Sequence, residues 1–173
     1  MKINAANTAL QNLVALVVDA NPGLTLAPAQ VTVGAPSVFA GADGRNTQVT
    51  FTAVANAGFS GTKTIDYIRL GVLTGTTTAA AEAAAGIVVD VDATDVEVKA
   101  LLVAQFGLVA DQVEVADLVL PVNESTPGSI TLAAIDGSHL YVGNEAIVLT
   151  VADADVPLGD AVTNDQMNGF EAA

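Results

Sequence analysis

Leu108-Val109-Ala110-Asp111-Gln112-Val113-Glu114-Val115 repeats the pattern of Leu26-Ala27-Pro28-Ala29-Gln30-Val31-Thr32-Val33 at an offset of 82 residues. In each stretch a Gln leads into alternating apolar and polar residues, the period that a half-buried β-strand requires. The flanking sequence matches as well. Ahead of the first stretch, Leu10, Leu13, Val14 and Val17 recur at i, i+3, i+4 and i+7 and place one apolar stripe on a helix. Thr8 with Gln11 forms a capping box at its start, with Asn4 as an alternative cap, and Asn21-Pro22-Gly23 ends it. Ahead of the second stretch, Thr94 with Glu97 is a stronger capping box. The helix it opens carries Val98, Leu101, Leu102 and Phe106, and Gly107 closes it.

The match continues downstream. Val49-Thr50-Phe51-Thr52-Ala53-Val54, with Val49, Phe51 and Ala53 on one face, aligns with Ile130-Thr131-Leu132-Ala133-Ala134-Ile135. Residues 59–70 align with residues 140–151, and Gly143 answers Gly61. Two amphipathic stretches can agree by chance, but the offset stays at 81 or 82 over three segments, which favours duplication. The expected fold is therefore α+β: two tandem similar units, each a helix packed on a small antiparallel β-sheet. The first unit spans residues 1–73 and the second residues 87–151. A Thr/Ala-rich linker over residues 74–86 joins them, and residues 152–173 form an acidic C-terminal arm. Residues 34–45 read as a loop, residues 56–61 as a turn, and residues 64–73 as a return strand with Ile65, Tyr67 and Arg69 facing one way. Ile87-Val88-Val89 reads as one extra strand. Units this short bury little core, so they are expected to pack on each other or on neighbours.

Composition excludes several roles. Of 173 residues, 51% are hydrophobic but only 4% aromatic and 14% charged, so the apolar mass is Ala, Val, Leu and Ile. That hydrophobicity is too high for a disordered chain. Nineteen acids, thirteen of them Asp, stand against five bases, for a net charge of −14. Lys2, Arg45, Lys63, Arg69 and Lys99 are scattered, so no cationic surface for nucleic acid is expected. Without cysteine there is no disulfide framework and no thiolate metal site. Gln11 and Asn12 interrupt the first apolar stretch, which reads as an amphipathic helix and not as a signal peptide. No run approaches the ~18 apolar residues of a membrane span.

Candidate chemistry is sparse. His139 is the sole histidine and sits in Ser138-His139-Leu140-Tyr141, where a solvent-facing or hairpin role is expected over that of a general base. Ser138 beside it is no partner, because neighbouring strand residues point to opposite faces. Asp90, Asp92 and Asp95 form D-x-D-x-x-D, and clustered carboxylates suit calcium. The Gly and Glu of an EF-hand loop are missing, however, and a helix start also favours Asp through its dipole. Asn123-Glu124-Ser125 matches a glycosylation sequon. No phosphate-binding, dinucleotide or nucleophile-elbow motif occurs. The expectation is a protein that is not an enzyme, with no catalytic residue, cofactor or metal assigned.

Two segments resemble a known group. Asn46-Thr47-Gln48-Val49-Thr50-Phe51-Thr52-Ala53, leading to Ile65-Asp66-Tyr67-Ile68-Arg69-Leu70, and the hairpin Ala134-Ile135-Asp136-Gly137-Ser138-His139-Leu140-Tyr141-Val142-Gly143 resemble parts of structural proteins of tailed-phage virions. In those proteins an S-x-L-Y-x-G hairpin recurs. The resemblance covers about residues 30–73 and 130–151, and it brings no catalytic residues with it. It implies a non-enzymatic, multi-copy protein: a capsid decoration (cement) protein, or a tail tube or baseplate component. Its partners would be copies of itself and other virion proteins such as the major capsid protein, with no nucleic acid and no membrane. It would be made in the host cytoplasm and located in the virion.

The residues themselves fit that expectation. Negative charge suits a surface facing away from packaged DNA, or a tube through which DNA slides without sticking. Sheet edges and terminal arms are assembly handles through strand addition. In that setting residues 152–173, with Asp153, Asp155, Asp160, Asp165 and Glu171 and no base, read either as a frayed tail or as an arm ordered on a neighbour. The competing reading is a bacterial surface adhesin-type β-domain, which shares the acidic, Thr/Val/Gly/Asp-rich composition. Calcium-dependent melting would favour it.

Overall fold

The capping boxes set the two helices. In the computed structural model, which describes residues 2–74, 83, 86–123 and 125–151, helix α1 runs Ala9–Ala20 and helix α2 runs Asp95–Phe106. The Thr8 hydroxyl accepts from the Gln11 backbone N–H, and the Gln11 side chain accepts from the Thr8 N–H. Thr94 and Glu97 form the same reciprocal pair. Those bonds hold the Glu97 carboxyl below the usual carboxylate range. Asn4 is not the cap; its side chain closes a turn onto Ala6 N–H. We expect Thr94→Ala to cost about 1 kcal/mol at neutral pH in urea unfolding. The Glu97 part of that stabilisation is present above the ordinary carboxylate pKa and is lost as pH falls through the lowered value.

Most of the remaining elements are strands, and among the described residues the fold is α+β with two helices and several sheets. In the first sheet β3 (Thr47–Ala53) is central. Strands β1 (Val31–Val33) and β2 (Ser37–Val38) lie along one edge and β4 (Thr62–Tyr67) along the other, all antiparallel. In the second sheet β8 (Gly128–Ala134) lies between β7 (Val113–Val119) and β10 (Asn144–Thr150), again antiparallel. Strand β6 (Ile87–Val88) extends this sheet, parallel to β10. A third, two-stranded sheet pairs β5 (Leu70–Gly71) with β9 (Tyr141–Val142) in parallel. At the tight turns into β4 and β10, Gly61 and Gly143 take φ of 81° and 79°, a conformation side-chain-bearing residues avoid.

Each helix covers its own sheet. Leu13 and Val14 pack with Val31, Val49, Phe51 and Tyr67, with Leu10 and Val17 at the margin. Val98 and Leu102 pack with Val113, Ile130, Leu132, Ile147 and Leu149, and Ile87 and Val89 of the extra strand join them. Ala9 and Val72 of the N-terminal half also belong to this second cluster.

Three expectations need correction. The return strand over residues 64–73 is not continuous: β4 stops at Tyr67, and Leu70–Gly71 leaves for β9, where Leu70 N–H donates to Leu140 O at 3.0 Å. The loop over residues 34–45 contains β2, which continues the β1 edge after a break at Gly34-Ala35-Pro36. Leu101, expected on the buried face of α2, is 38% exposed. The linker expected over residues 74–86 lies outside the described residues except at 74, 83 and 86, and the arm at residues 152–173 lies wholly outside them, as does Glu124 of the sequon.

Candidate functional site

Among the described residues a polar network lies where the hairpin connection between β8 and β10 meets the N-terminal half. Gln112, buried, accepts at Oε1 from the Ser138 hydroxyl and from His139 N–H at 2.8 Å. Ser138 Oγ in turn accepts from Tyr141 N–H, and the Tyr141 hydroxyl accepts from Val109 N–H. Gln112 thus holds Ser138 and His139 directly, and Tyr141 is tied in through the Ser138 hydroxyl. From the opposite side the Tyr67 hydroxyl donates to His139 O at 2.8 Å, and the Arg69 guanidinium donates to Ser138 O at 2.7 Å. Arg69 Nε also donates to Thr47 Oγ1, a side chain with no solvent exposure. Every buried side-chain nitrogen and oxygen among the described residues has a partner.

These placements answer the sequence expectations for the hairpin. His139 is half-buried, and its Nε2 lies 3.0 Å from Gly34 O. It belongs to the hairpin, as expected, but it faces the N-terminal half and not open solvent. Ser138 is fully buried in a turn ahead of β9, with its hydroxyl on Gln112 and Tyr141. Arg69, expected on the strand face with Ile65 and Tyr67, reaches across to the other half. The signal for that was legible: a guanidinium in an apolar run must find partners when it is taken out of water.

Burial pushes the Tyr67 hydroxyl up to about 12, against a smaller opposing pull from Arg69. Tyr141 is raised for the same reason. A phenol whose folded pKa is raised contributes stability that is fully present below the ordinary value of 10.0 and is lost as pH climbs from there to about 12. The melting temperature should therefore fall steeply above pH ~10, and Tyr67→Phe should flatten that fall while lowering stability at neutral pH. An unchanged alkaline slope in the variant would contradict the buried phenol.

Beside this network opens a groove of about 450 Å³. Its floor is Leu13 and Leu16 of α1 and Tyr67 and Ile68 at the end of β4, and Lys2 and Arg45 also line it. Asn12, the polar residue within the apolar stripe of α1, is buried at its margin. There it accepts from Asn4 N–H and donates to the carbonyls of Asn4 and Thr8, tying the segment ahead of α1 to the helix. Arg45 is paired with Asp43 at 2.8 Å in the open, which holds the Asp43 carboxyl below its usual range. The groove has an apolar floor, and Asp66 and His139 line it together with Lys2, Arg45 and Tyr67.

The D-x-D-x-x-D run falls at the start of α2, with Asp90, Asp92 and Asp95 all exposed. Asp90 O closes a turn onto Ala93 N–H, and Asp95 lies in the first turn of the helix. Among the described residues no three His, Asp or Glu side chains come together in a way that could hold an ion. Among the same residues no helix is long and apolar enough to cross a membrane.

A family model matches residues 3–173, a span that takes in the helices and strands of the described residues and almost all of the groove; it is described as a family of unknown function (DUF7941). The chain belongs to that family. No curated protein and no solved structure matches this DUF7941 chain.

Proposed function

We propose that this DUF7941 chain is a non-enzymatic structural protein of a tailed-phage virion, built from two tandem helix-on-sheet units and present in many copies. The favoured place is the capsid surface, as a decoration or cement protein acting through subunit contacts. The observation that carries the structural role is how the polar side chains are used. Among the described residues the buried ones are all committed to hydrogen bonds within the fold, and the groove beside the hairpin network has an apolar floor. Interfaces are built from such apolar grooves with charged rims.

The register of the sheets supports the tandem units. Val31 pairs with Ala53 and Val33 with Phe51; Val113 pairs with Ala134 and Val115 with Leu132. Thr52 pairs with Thr62 in the first sheet, and Ala133 with Asn144 in the second. Every pair is displaced by the same 81 or 82 residues found in the sequence. A single 3-10 turn precedes β1 in the first sheet and β7 in the second, Pro28–Gln30 in one and Ala110–Gln112 in the other.

The resemblance of the Ser138-His139-Leu140-Tyr141-Val142-Gly143 hairpin to virion proteins supports the virion setting, and the net charge of −14 suits a surface kept away from packaged DNA. Electron cryo-microscopy of purified particles tests the location. Density for the chain on every capsomer would establish decoration; rings along the tail would move it to the tube, and density at the tail tip to the baseplate.

A further inference from the structure

The two units differ in one respect that has a consequence. In the second, strand β6 lies between α2 and the outer edge of β10, with Ile87 beside Leu149 and Val88 beside Thr150. Ile87 and Val89 are buried and Val88 is 56% exposed, so the strand reads in-out-in. In the first unit the matching place, between α1 and the outer edge of β4, is the open groove. Among the described residues no strand pairs along that edge, and the antiparallel register with β3 turns the peptide group of Asp66 outward.

Strand β6 belongs to the chain that follows β4, yet it fills the groove of the unit after it. Ile87 comes 20 residues after Tyr67. Leu149 holds the position in β10 that Tyr67 holds in β4, and Phe170 comes 21 residues after it. Gly86-Ile87-Val88-Val89 is matched there by Gly169-Phe170-Glu171-Ala172, which reads apolar, polar, apolar after its glycine. We propose that residues 169–172 of a second copy lie parallel to β4 in the open groove, so that copies join head to tail. Phe170 sits over Leu13 and Leu16 beside Tyr67, in the role of Ile87. Glu171 points outward towards the rim that carries Lys2 and Arg45.

Charge favours this pairing over a symmetric one. Residues 1–73 hold four bases and three acids, residues 87–151 one base and ten acids, and residues 152–173 five acids and no base. A near-neutral end carrying cations at its groove attracts the strongly acidic end of another copy, and two acidic ends repel. A head-to-tail contact of this kind propagates, giving open chains or closed rings. Strand addition supplies the backbone bonds, and the pocket for Phe170 supplies specificity.

The inference rests on the tandem-unit reading and is independent of the virion setting, so each can fail without the other. The test is sedimentation equilibrium on the full-length chain and two variants. The wild type is expected to gain mass with concentration up to ~100 µM. Phe170→Asp, which leaves the groove intact, should weaken association roughly 30-fold or more. Ile68→Asp changes an exposed groove residue and should do the same. Mixing the two variants should restore a single interface and give a 1:1 dimer that grows no further. Three results would overturn the proposal: a monomeric wild type, a Phe170→Asp variant that assembles like the wild type, or a mixture that stays monomeric although both variants melt like folded protein.

Discussion

Leu132→Ala should lower the unfolding free energy by about 4 kcal/mol, near the top of the range for a buried leucine cut back to alanine. Leu132 lies on β8, the strand flanked on both sides in the second sheet, and has no solvent exposure. It packs in one cluster with Val98 and Leu102 from α2 above and Val113 and Ile147 from the neighbouring strands. Paired strands on both sides leave the site little freedom to collapse into the space. A domain of this size is stable by roughly 5–15 kcal/mol, so the variant should unfold at a much lower urea concentration with its m-value unchanged. Phe51→Ala, at the register-equivalent position in the first sheet, should cost a similar ~3–5 kcal/mol. A loss below ~1 kcal/mol for Leu132→Ala would mean that β8 is not the centre of the core.

Gly128→Ala should be as damaging for a different reason. A Cβ at Gly128 would run into Val119 O, Pro121 N and Leu120 C, all of them backbone atoms, so no side-chain rotation relieves the clash. The collision falls where β7 and β8 pair across a register shift between Ala116 and Val119. Moving that backbone apart breaks ladder bonds of the larger sheet. We expect at least ~4 kcal/mol, beyond the usual 1–3 kcal/mol for overpacking a side chain into a core. Ser129→Ala next to it, on an exposed position, should change stability by no more than ~0.5 kcal/mol. Equal effects for the two would remove the steric explanation.

Short-range signals carried most of the fold. Thr8 with Gln11 and Thr94 with Glu97 located both helix starts, and alternation located β3 and β8 to within two residues. What escaped was long-range. The parallel pairing of Leu70–Gly71 with Tyr141–Val142 joins residues some 70 positions apart and leaves no local pattern. Nor does any local pattern mark β6 as parallel to β10, although Ile87-Val88-Val89 was legible as a strand. The polar network could be guessed only from residues out of place, such as Asn12 on an apolar stripe and Arg69 in an apolar run. The groove was not legible at all, because it lies along an edge of β4 where, among the described residues, no strand pairs, whereas β6 fills the edge of β10.

That difference also changes the meaning of the charge. The −14 is not spread evenly: it is concentrated in residues 87–173, while residues 1–73 carry a net +1. A chain polarised in this way is suited to ordered assembly.

The proposed virion role is tested most directly by quantitative mass spectrometry of purified phage particles from a genome that encodes this chain. Many copies per particle, in a fixed ratio to the major capsid protein, are expected. Particles that lack the chain, while it is abundant in the lysate, would contradict the role.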